Sequence, residues 1–231
     1  MSTHPHRSGD TDLAAVGAVL AEPARARVLL ALADGRSLAA GVLAAEAGVA
    51  PSTASHHLAR LVDAGLICVL TRGRHRYFTL AGPHVGELIE AVARVAPTQP
   101  ITSLRQGTRA HAVRYARRCY DHLAGKLGVA VTEALHEQGM IVVCGEADFT
   151  VTDHGVTTLT QLGIDTSSGD VVRRCLDWTE QRNHIAGPLG RALLTSLFDI
   201  GWLIRDSSTR AVRLTEAGRA QLPSRLGVRL P

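Results

Sequence analysis

LAAEAGVAPSTASHHLARLVDAGLI, residues 43–67, is the stretch that decides the fold. Leu43–Ala47 closes a short helix that opens near Ser37 and is stopped by Gly48. After Val49-Ala50, Pro51-Ser52-Thr53 starts a longer helix to Ala64, since proline fits a first helical turn and Ser52 is a ready N-cap. Two helices joined by a tight glycine-containing turn are the signature of a helix-turn-helix. Leu58, Leu61 and Val62 of the longer helix are expected in the core. Ser52, Thr53, Ser55, His56, His57 and, one turn on, Arg60 form its outward surface.

Upstream, Leu13, Val16, Val19 and Leu20 recur at helical spacing between Asp12 and Ala21, and Pro23 opens a helix to about Ala33 that ends at Asp34-Gly35. Downstream, Leu66–Leu70 and Tyr77–Leu80 are β-type runs around the polar Thr71-Arg72-Gly73-Arg74-His75-Arg76, a hairpin pattern. Helix, turn, helix and hairpin in that order make a winged helix. Pro83–Val95 adds one more helix, and Pro97 and Pro100 mark a linker. The expected organisation is a flexible tail at 1–10, a winged helix-turn-helix at 11–96, a linker at 97–104 and a second domain at 105–231.

EPARARVLLALADG, the stretch at 43–67 and TRGRHRYFTL together resemble the ArsR family of bacterial regulators over roughly residues 13 to 95. The resemblance implies a homodimer formed largely through the first and last helices of this domain, and repression released by a signal. Metal-sensing members often carry a paired-cysteine motif in the helix before the recognition helix. Here that helix, Leu38–Ala47, has no cysteine, and His84-x-x-Glu87 supplies only half of another family site.

A major groove admits one helix, whose N-terminal residues reach base edges. The DNA contacts expected on the helix are therefore Ser52, Thr53, Ser55, His56, His57 and Arg60. Arg72, Arg74, His75 and Arg76 of the wing suit phosphates or an adjacent minor groove. From Pro51 to Leu80 there are four arginines and one acid, Asp63, a local balance of 4 − 1 = +3.

The second half repeats itself. Arg117-Arg118-Cys119-Tyr120-Asp121-His122-Leu123-Ala124-Gly125 returns as Arg173-Arg174-Cys175-Leu176-Asp177, an insertion, then His184-Ile185-Ala186-Gly187. Each copy continues through a helix, a glycine, two strands and a Thr-x-x-Gly helix start, with Gly139 and Gly155, and Gly201 and Gly218, spaced like Gly65 and Gly82. The expected fold class is mainly α with small β-hairpins (α+β): an N-terminal winged helix-turn-helix followed by two winged-helix-like repeats. The turns of these repeats, Cys144–Asp148 and Arg205–Arg210, are acidic and mixed, and neither is expected to bind DNA.

Cys119 and His122, three apart, would share a helical face, with Cys175 and His184 as their repeat mates. Thiolate and imidazole are zinc ligands, and a thiolate beside arginines can be a redox sensor; if the copies are related by a pseudo-twofold axis, one thiol and one imidazole from each would converge where the repeats meet and complete a four-ligand site. Packing alone would also make the same residues recur. The effector is unknown at this stage, with a transition metal as one candidate cofactor. Trp202 aligns with Met140 and Leu66 and reads as core, whereas Trp178 has no counterpart and could line a ligand pocket.

The 231 residues, 45% hydrophobic, suffice for a full core, and no run approaches the roughly 18 apolar residues of a membrane span. Four cysteines without a CxxC spacing read as reduced thiols, which suits the cytoplasm. Net charge is +4 and Lys126 is the only lysine, so the placing of the arginines carries more information than their number. There is no phosphate loop, no G-x-S-x-G elbow and no HExxH, and no enzyme is expected. The reading is a cytoplasmic, homodimeric transcriptional repressor that binds operator DNA. Competing with it are a metal- or thiol-redox-responsive sensor acting through the C-terminal cysteines, and a small-molecule-binding protein or enzyme that carries a DNA-binding domain.

Overall fold

The structure is a computed structural model that describes residues 11–97, 100, 104–144, 148–167, 171–207 and 209–231. The expected tail Met1–Asp10, residues 98, 99 and 101–103 of the expected linker, and Gly145–Ala147 of the expected acidic turn lie outside the described residues. The chain forms two compact units. The first holds the described residues up to Leu32 with Ser37–Ala81, and the second holds Ala33–Arg36 with Gly82–Pro231.

The first unit runs α1 (Leu13–Leu20), α2 (Pro23–Leu32), β1 (Leu38–Ala39), α3 (Ala40–Ala47), α4 (Pro51–Asp63), β2 (Ile67–Arg72) and β3 (His75–Leu80). Gly48 ends α3 in the left-handed region, at φ 70°, a conformation that costs glycine least. Two local expectations are corrected. The helix expected from Ser37 begins only at Ala40, because Leu38 and Ala39 pair with Phe78 and Tyr77 and make β1 the third strand of the wing sheet. A two-residue strand is too short to leave a period of its own. Ser52 is not the N-cap of α4: Ala50 holds that position without a side-chain bond, and Pro51 at the first turn leaves one fewer N–H to satisfy. Ala54, Leu58 and Leu61 bury one face of α4 against this unit's core, which includes Leu32, Leu43 and Phe78.

The second unit opens with α5 (Pro83–Val95) and α6 (Leu104–Tyr115). It continues with β4 (Arg117–Cys119), β5 (His122–Ala124), α7 (Gly125–Glu137), β6 (Ile141–Cys144), β7 (Asp148–Val151) and α8 (Asp153–Gln161). The same order follows again as β8 (Val171–Leu176), β9 (Asn183–Ile185), α9 (Gly187–Asp199), β10 (Leu203–Arg205), β11 (Val212–Leu214) and α10 (Glu216–Leu226). The internal repeat is thus a duplicated ββαββα. α5, expected to close the first domain at residue 96, lies in the compact unit of the repeats.

The two copies interlock. β7 pairs with β8, giving the sheet order β6-β7-β8-β9, so one copy's second hairpin joins the other's first. The reciprocal junction is lighter: a bridge between Arg117 and Ala211, with Val212 N–H donating to Ala116 O and Arg118 N–H to Arg210 O. Thr152 and Thr215 cap α8 and α10 by accepting from Gly155 N–H and Gly218 N–H. A Cβ on either glycine would overlap the carbonyl of Met140 or Trp202, which explains the repeated Thr-x-x-Gly. Trp202 and Met140 are both buried in this unit's core with Leu127, Leu135, Leu193 and Leu197. No helix among the described residues is long and apolar enough to cross a membrane.

Candidate functional site

On α4, burying Ala54, Leu58 and Leu61 turns Ser52, Thr53, Ser55, His56 and Arg60 outward, and all five are exposed. His57 is half-buried, and its Nδ1 lies out of solvent without a hydrogen-bond partner. The Ser55 hydroxyl donates to Pro51 O at 2.9 Å, so its oxygen remains as an acceptor. Arg72, Arg74, His75 and Arg76 are exposed around the tip of the β2–β3 hairpin, with Arg76 stacked 5.5 Å from the centre of the Phe78 ring.

The other expected constellation lies in the second unit, in a geometry the sequence reading missed. Cys119 and His122 do not share a helical face; they are paired across the β4–β5 hairpin, and Cys175 and His184 are paired across β8–β9. A three-residue spacing reads as a helical face only if the segment is helical, and here a turn through Tyr120 (φ 58°) folds it back. The copies bring all four side chains together, with the four ligand atoms within 4.8 Å of one another. The Sγ atoms of Cys119 and Cys175 are 4.0 Å apart, and the Nε2 atoms of His122 and His184 are 3.1 Å apart. Cys119, His122 and His184 are buried and Cys175 is partly so.

Each imidazole has an aspartate behind it. His122 Nδ1 is 3.1 Å from Asp121 Oδ1, and His184 Nδ1 is 3.4 Å from Asp177 Oδ2. Both carboxylates are anchored in the other copy. Asp121 Oδ2 accepts from Arg191 Nε at 2.7 Å, and Asp177 Oδ2 accepts from Gly125 N–H at 2.7 Å and lies 3.0 Å from the Arg117 guanidinium. Burial alone would raise Asp177, but Arg117, Thr179 and the Gly125 N–H outweigh it and hold the carboxyl down at about 2. Burial likewise would lower His122, yet its bonds to Asp121 and Cys175 raise it. Between the thiols, the bond to Cys175 and then burial push Cys119 up, while the bond to Cys119 and then the imidazoles pull Cys175 down, so the pair favours one thiolate.

Arg117 is fully buried and joins this site to α5. Besides Asp177, its guanidinium meets Glu90 of α5 at 3.3 Å and stacks 5.0 Å from the Trp178 ring, and Arg210 completes the group at 3.1 Å from Glu90. Trp178, read from sequence as a pocket residue, serves here as the platform for Arg117. Glu90 and the aspartates were missed as functional residues. For the aspartates a signal existed in the recurrence of Cys-x-Asp; for Glu90 it was an acid four residues after Gly86 on the buried side of α5. His84 and Glu87 also lie on α5, and the exposed Glu87 pairs with Arg173 at 3.3 Å.

A helix-turn-helix domain family matches residues 20–69. The chain is 39% identical over 224 residues to YdfF of Bacillus subtilis, an uncharacterized HTH-type transcriptional regulator, covering 95% of this chain and 99% of that one. It is 38% identical over 100 residues to the HTH-type transcriptional regulator CmtR of Mycobacterium tuberculosis, covering 42% of this chain and 84% of that one. Among solved structures, the homodimeric winged helix-turn-helix domain of Mb0332 from Mycobacterium bovis, a possible ArsR-family regulator, is 31% identical, covers 37% of this chain and 85% of that one, and has a TM-score of 0.32.

Proposed function

Since the chain belongs to the HTH-type transcriptional regulators that include YdfF, with an N-terminal winged helix of the ArsR kind, we propose that it is a cytoplasmic homodimeric repressor whose operator affinity is set by a transition-metal ion in its second unit. The observation that carries the DNA-binding part is the division of α4: an apolar face in the core, and an exposed face of hydroxyls, imidazole and guanidinium beside an acid-free basic hairpin. In the major groove, Ser52, Thr53, Ser55, His56 and the accessible edge of His57 read bases, with Ser55 accepting from a base amino group. Arg60 and wing residues Arg72, Arg74, His75 and Arg76 meet phosphates or the neighbouring minor groove. The second unit is read as two winged-helix-like repeats, since α7–β6–β7 and α9–β10–β11 repeat the helix–glycine–hairpin order of α4–β2–β3. These repeats have lost the basic wing and receive the signal. The reading assigns the chain no catalytic reaction.

The experiment is a fluorescence-anisotropy titration of the purified full chain on duplexes from upstream of its own gene and on random DNA, with and without zinc. It is paired with sedimentation analysis and a promoter–reporter fusion. Expected are a dimer, preference for an upstream duplex, a reporter silenced by the protein, and an affinity that changes with the metal. Equal binding to upstream and random duplexes would remove the regulator reading. The two sulfurs 4.0 Å apart favour a second reading of the signal, reversible oxidation to a Cys119–Cys175 disulfide by a peroxide. A His184→Ala variant separates the two, because it loses the metal response and keeps a response to peroxide.

A further inference from the structure

The four ligand atoms have a shape that can be compared with a known coordination figure. A tetrahedral zinc ion, with Zn–S near 2.3 Å and Zn–N near 2.05 Å, sets its sulfurs about 3.8 Å apart and its nitrogens about 3.3 Å apart. The corresponding separations here are 4.0 Å and 3.1 Å. The tautomers point the same way. Asp121 at hydrogen-bond distance from His122 Nδ1 favours the proton on that nitrogen and frees Nε2 as a ligand, while His184 Nδ1 lies 3.4 Å from Asp177 without a hydrogen bond and its Nε2 faces that of His122. At 3.1 Å the two Nε2 atoms either share one proton in a hydrogen bond or, with both lone pairs free, hold one metal ion between them. A dipositive ion with two thiolates is neutral overall, which is the charge state a buried centre tolerates best. With four protein ligands there is no open position, the mark of a structural or sensing site rather than a catalytic one.

The contacts then lead outward along one line. Asp177, behind His184, faces Arg117; Arg117 faces Glu90; Glu90 also holds Arg210. Two cations and two anions balance inside a buried cluster, so moving one member leaves another uncompensated. The repeat mate Arg173 reaches Glu87, one turn earlier on α5, and Tyr120, between Cys119 and Asp121, packs against Gly86 with its Cβ 3.3 Å from where a Gly86 Cβ would lie. α5 therefore rests on both cysteine–histidine hairpins through Gly86, Glu87 and Glu90. In the chain, α5 begins at Pro83, just after β3 of the wing ends at Leu80.

We infer that Cys119, His122, Cys175 and His184 form a closed four-coordinate zinc(II) centre, and that the buried chain Asp177–Arg117–Glu90 transmits its occupancy to α5. The inference rests on the proposal that a transition metal is the signal, and it adds the ion, the ligand atoms and the route. Binding displaces the protons shared among the thiols and imidazoles and fixes β4–β5 and β8–β9 at the separations they already have. The arginines two residues before each cysteine ligand tie that fixing of the hairpins to α5 through Glu90 and Glu87.

The test uses the full chain, stripped of metal and titrated with cobalt(II), then zinc. Expected are one cobalt per chain, the intense visible bands of tetrahedral cobalt, a near-ultraviolet sulfur-to-cobalt band, and displacement by one equivalent of zinc. The Cys119→Ser/Cys175→Ser double variant loses the sulfur band. A wild-type chain that binds no cobalt, or binds it with the weak bands of octahedral cobalt, overturns the centre. For the route, Glu90→Gln/Arg210→Gln removes one charge of each sign and leaves Arg117 paired with Asp177. It is expected to melt as a folded protein, to keep the cobalt spectrum, and to reduce the zinc-dependent change in operator affinity to below about twofold, where a coupled parent shows about 5–150-fold. Glu87→Gln, at the exposed contact, serves as a milder second variant with a partial loss. A zinc response equal to the parent's in both variants overturns the route and leaves the centre. A parent that binds cobalt tetrahedrally while its operator affinity ignores zinc overturns both the signal proposal and the route, again without touching the centre.

Discussion

The β2–β3 wing and the β4–β5 hairpin are both short antiparallel turns rich in arginine, yet they use it in opposite ways. In the wing Arg72, Arg74 and Arg76 are exposed, and no acid lies between them. In β4, where alternate residues face alternate sides, Arg117 and Cys119 face inward, and Arg117 is enclosed by Glu90, Asp177 and the Trp178 ring. An exposed arginine keeps its charge available to a polyanion at little cost, whereas a buried one must be neutralised where it stands. The same residue type is thus a solvent-facing group in one unit and a structural link in the other.

The largest effect should come from breaking that contrast at its buried end. Arg117→Met leaves Glu90 and Asp177 without their shared cation and should cost about 3–5 kcal/mol of stability in a denaturant melt, as for other buried pairs broken on one side. Arg74→Ala in the wing should lie within about 0.5 kcal/mol of the parent. Equal losses would mean that the two hairpins do not differ as described.

At the reading face, His56→Ala or Ser55→Ala should lower discrimination between operator and random DNA by about 1–3 kcal/mol, with an unchanged circular dichroism spectrum. Full retention of preference would take α4 out of the account. In the second unit, Asp121→Asn removes the carboxylate behind His122 while leaving all four metal ligands in place. Zinc affinity, measured by competition with a chromophoric chelator, should fall about 10–100-fold. Unaltered affinity would show that Asp121 serves only Arg191. The smallest effect belongs to the wing: Arg74→Ala and Arg76→Ala should each reduce the salt slope of DNA binding by about 0.9 while leaving sequence preference in place, and an unchanged slope would mean no phosphate lies there.

Local signals explain why the first unit was legible. Gly48, Pro51 and the apolar spacing of Leu58, Leu61 and Val62 act within a few residues of one another, and the structure departs from them at Leu38-Ala39, at the cap of α4, and at Val62 and the outward-read His57, which are both half-buried. The repeat was equally plain as a pattern, but its meaning was not local. Cys119 and His122 read as neighbours on a helix, because spacing alone cannot tell a helical turn from a hairpin that reverses at Tyr120.

The sequence by itself determined the helix-turn-helix, the wing, their exposed basic surface and the existence of two related copies, since all of these follow from short-range periodicity, turn residues and self-similarity. Tertiary structure alone decided that the copies interlock, that α5 joins them, and that the cysteine–histidine pairs, expected from the repeat to converge, do so across two hairpins with an aspartate behind each imidazole. The physical reason is that a buried polar group is settled by what encloses it, and the partners of Arg117 come from α5 and from the other copy, at separations over which no sequence period extends.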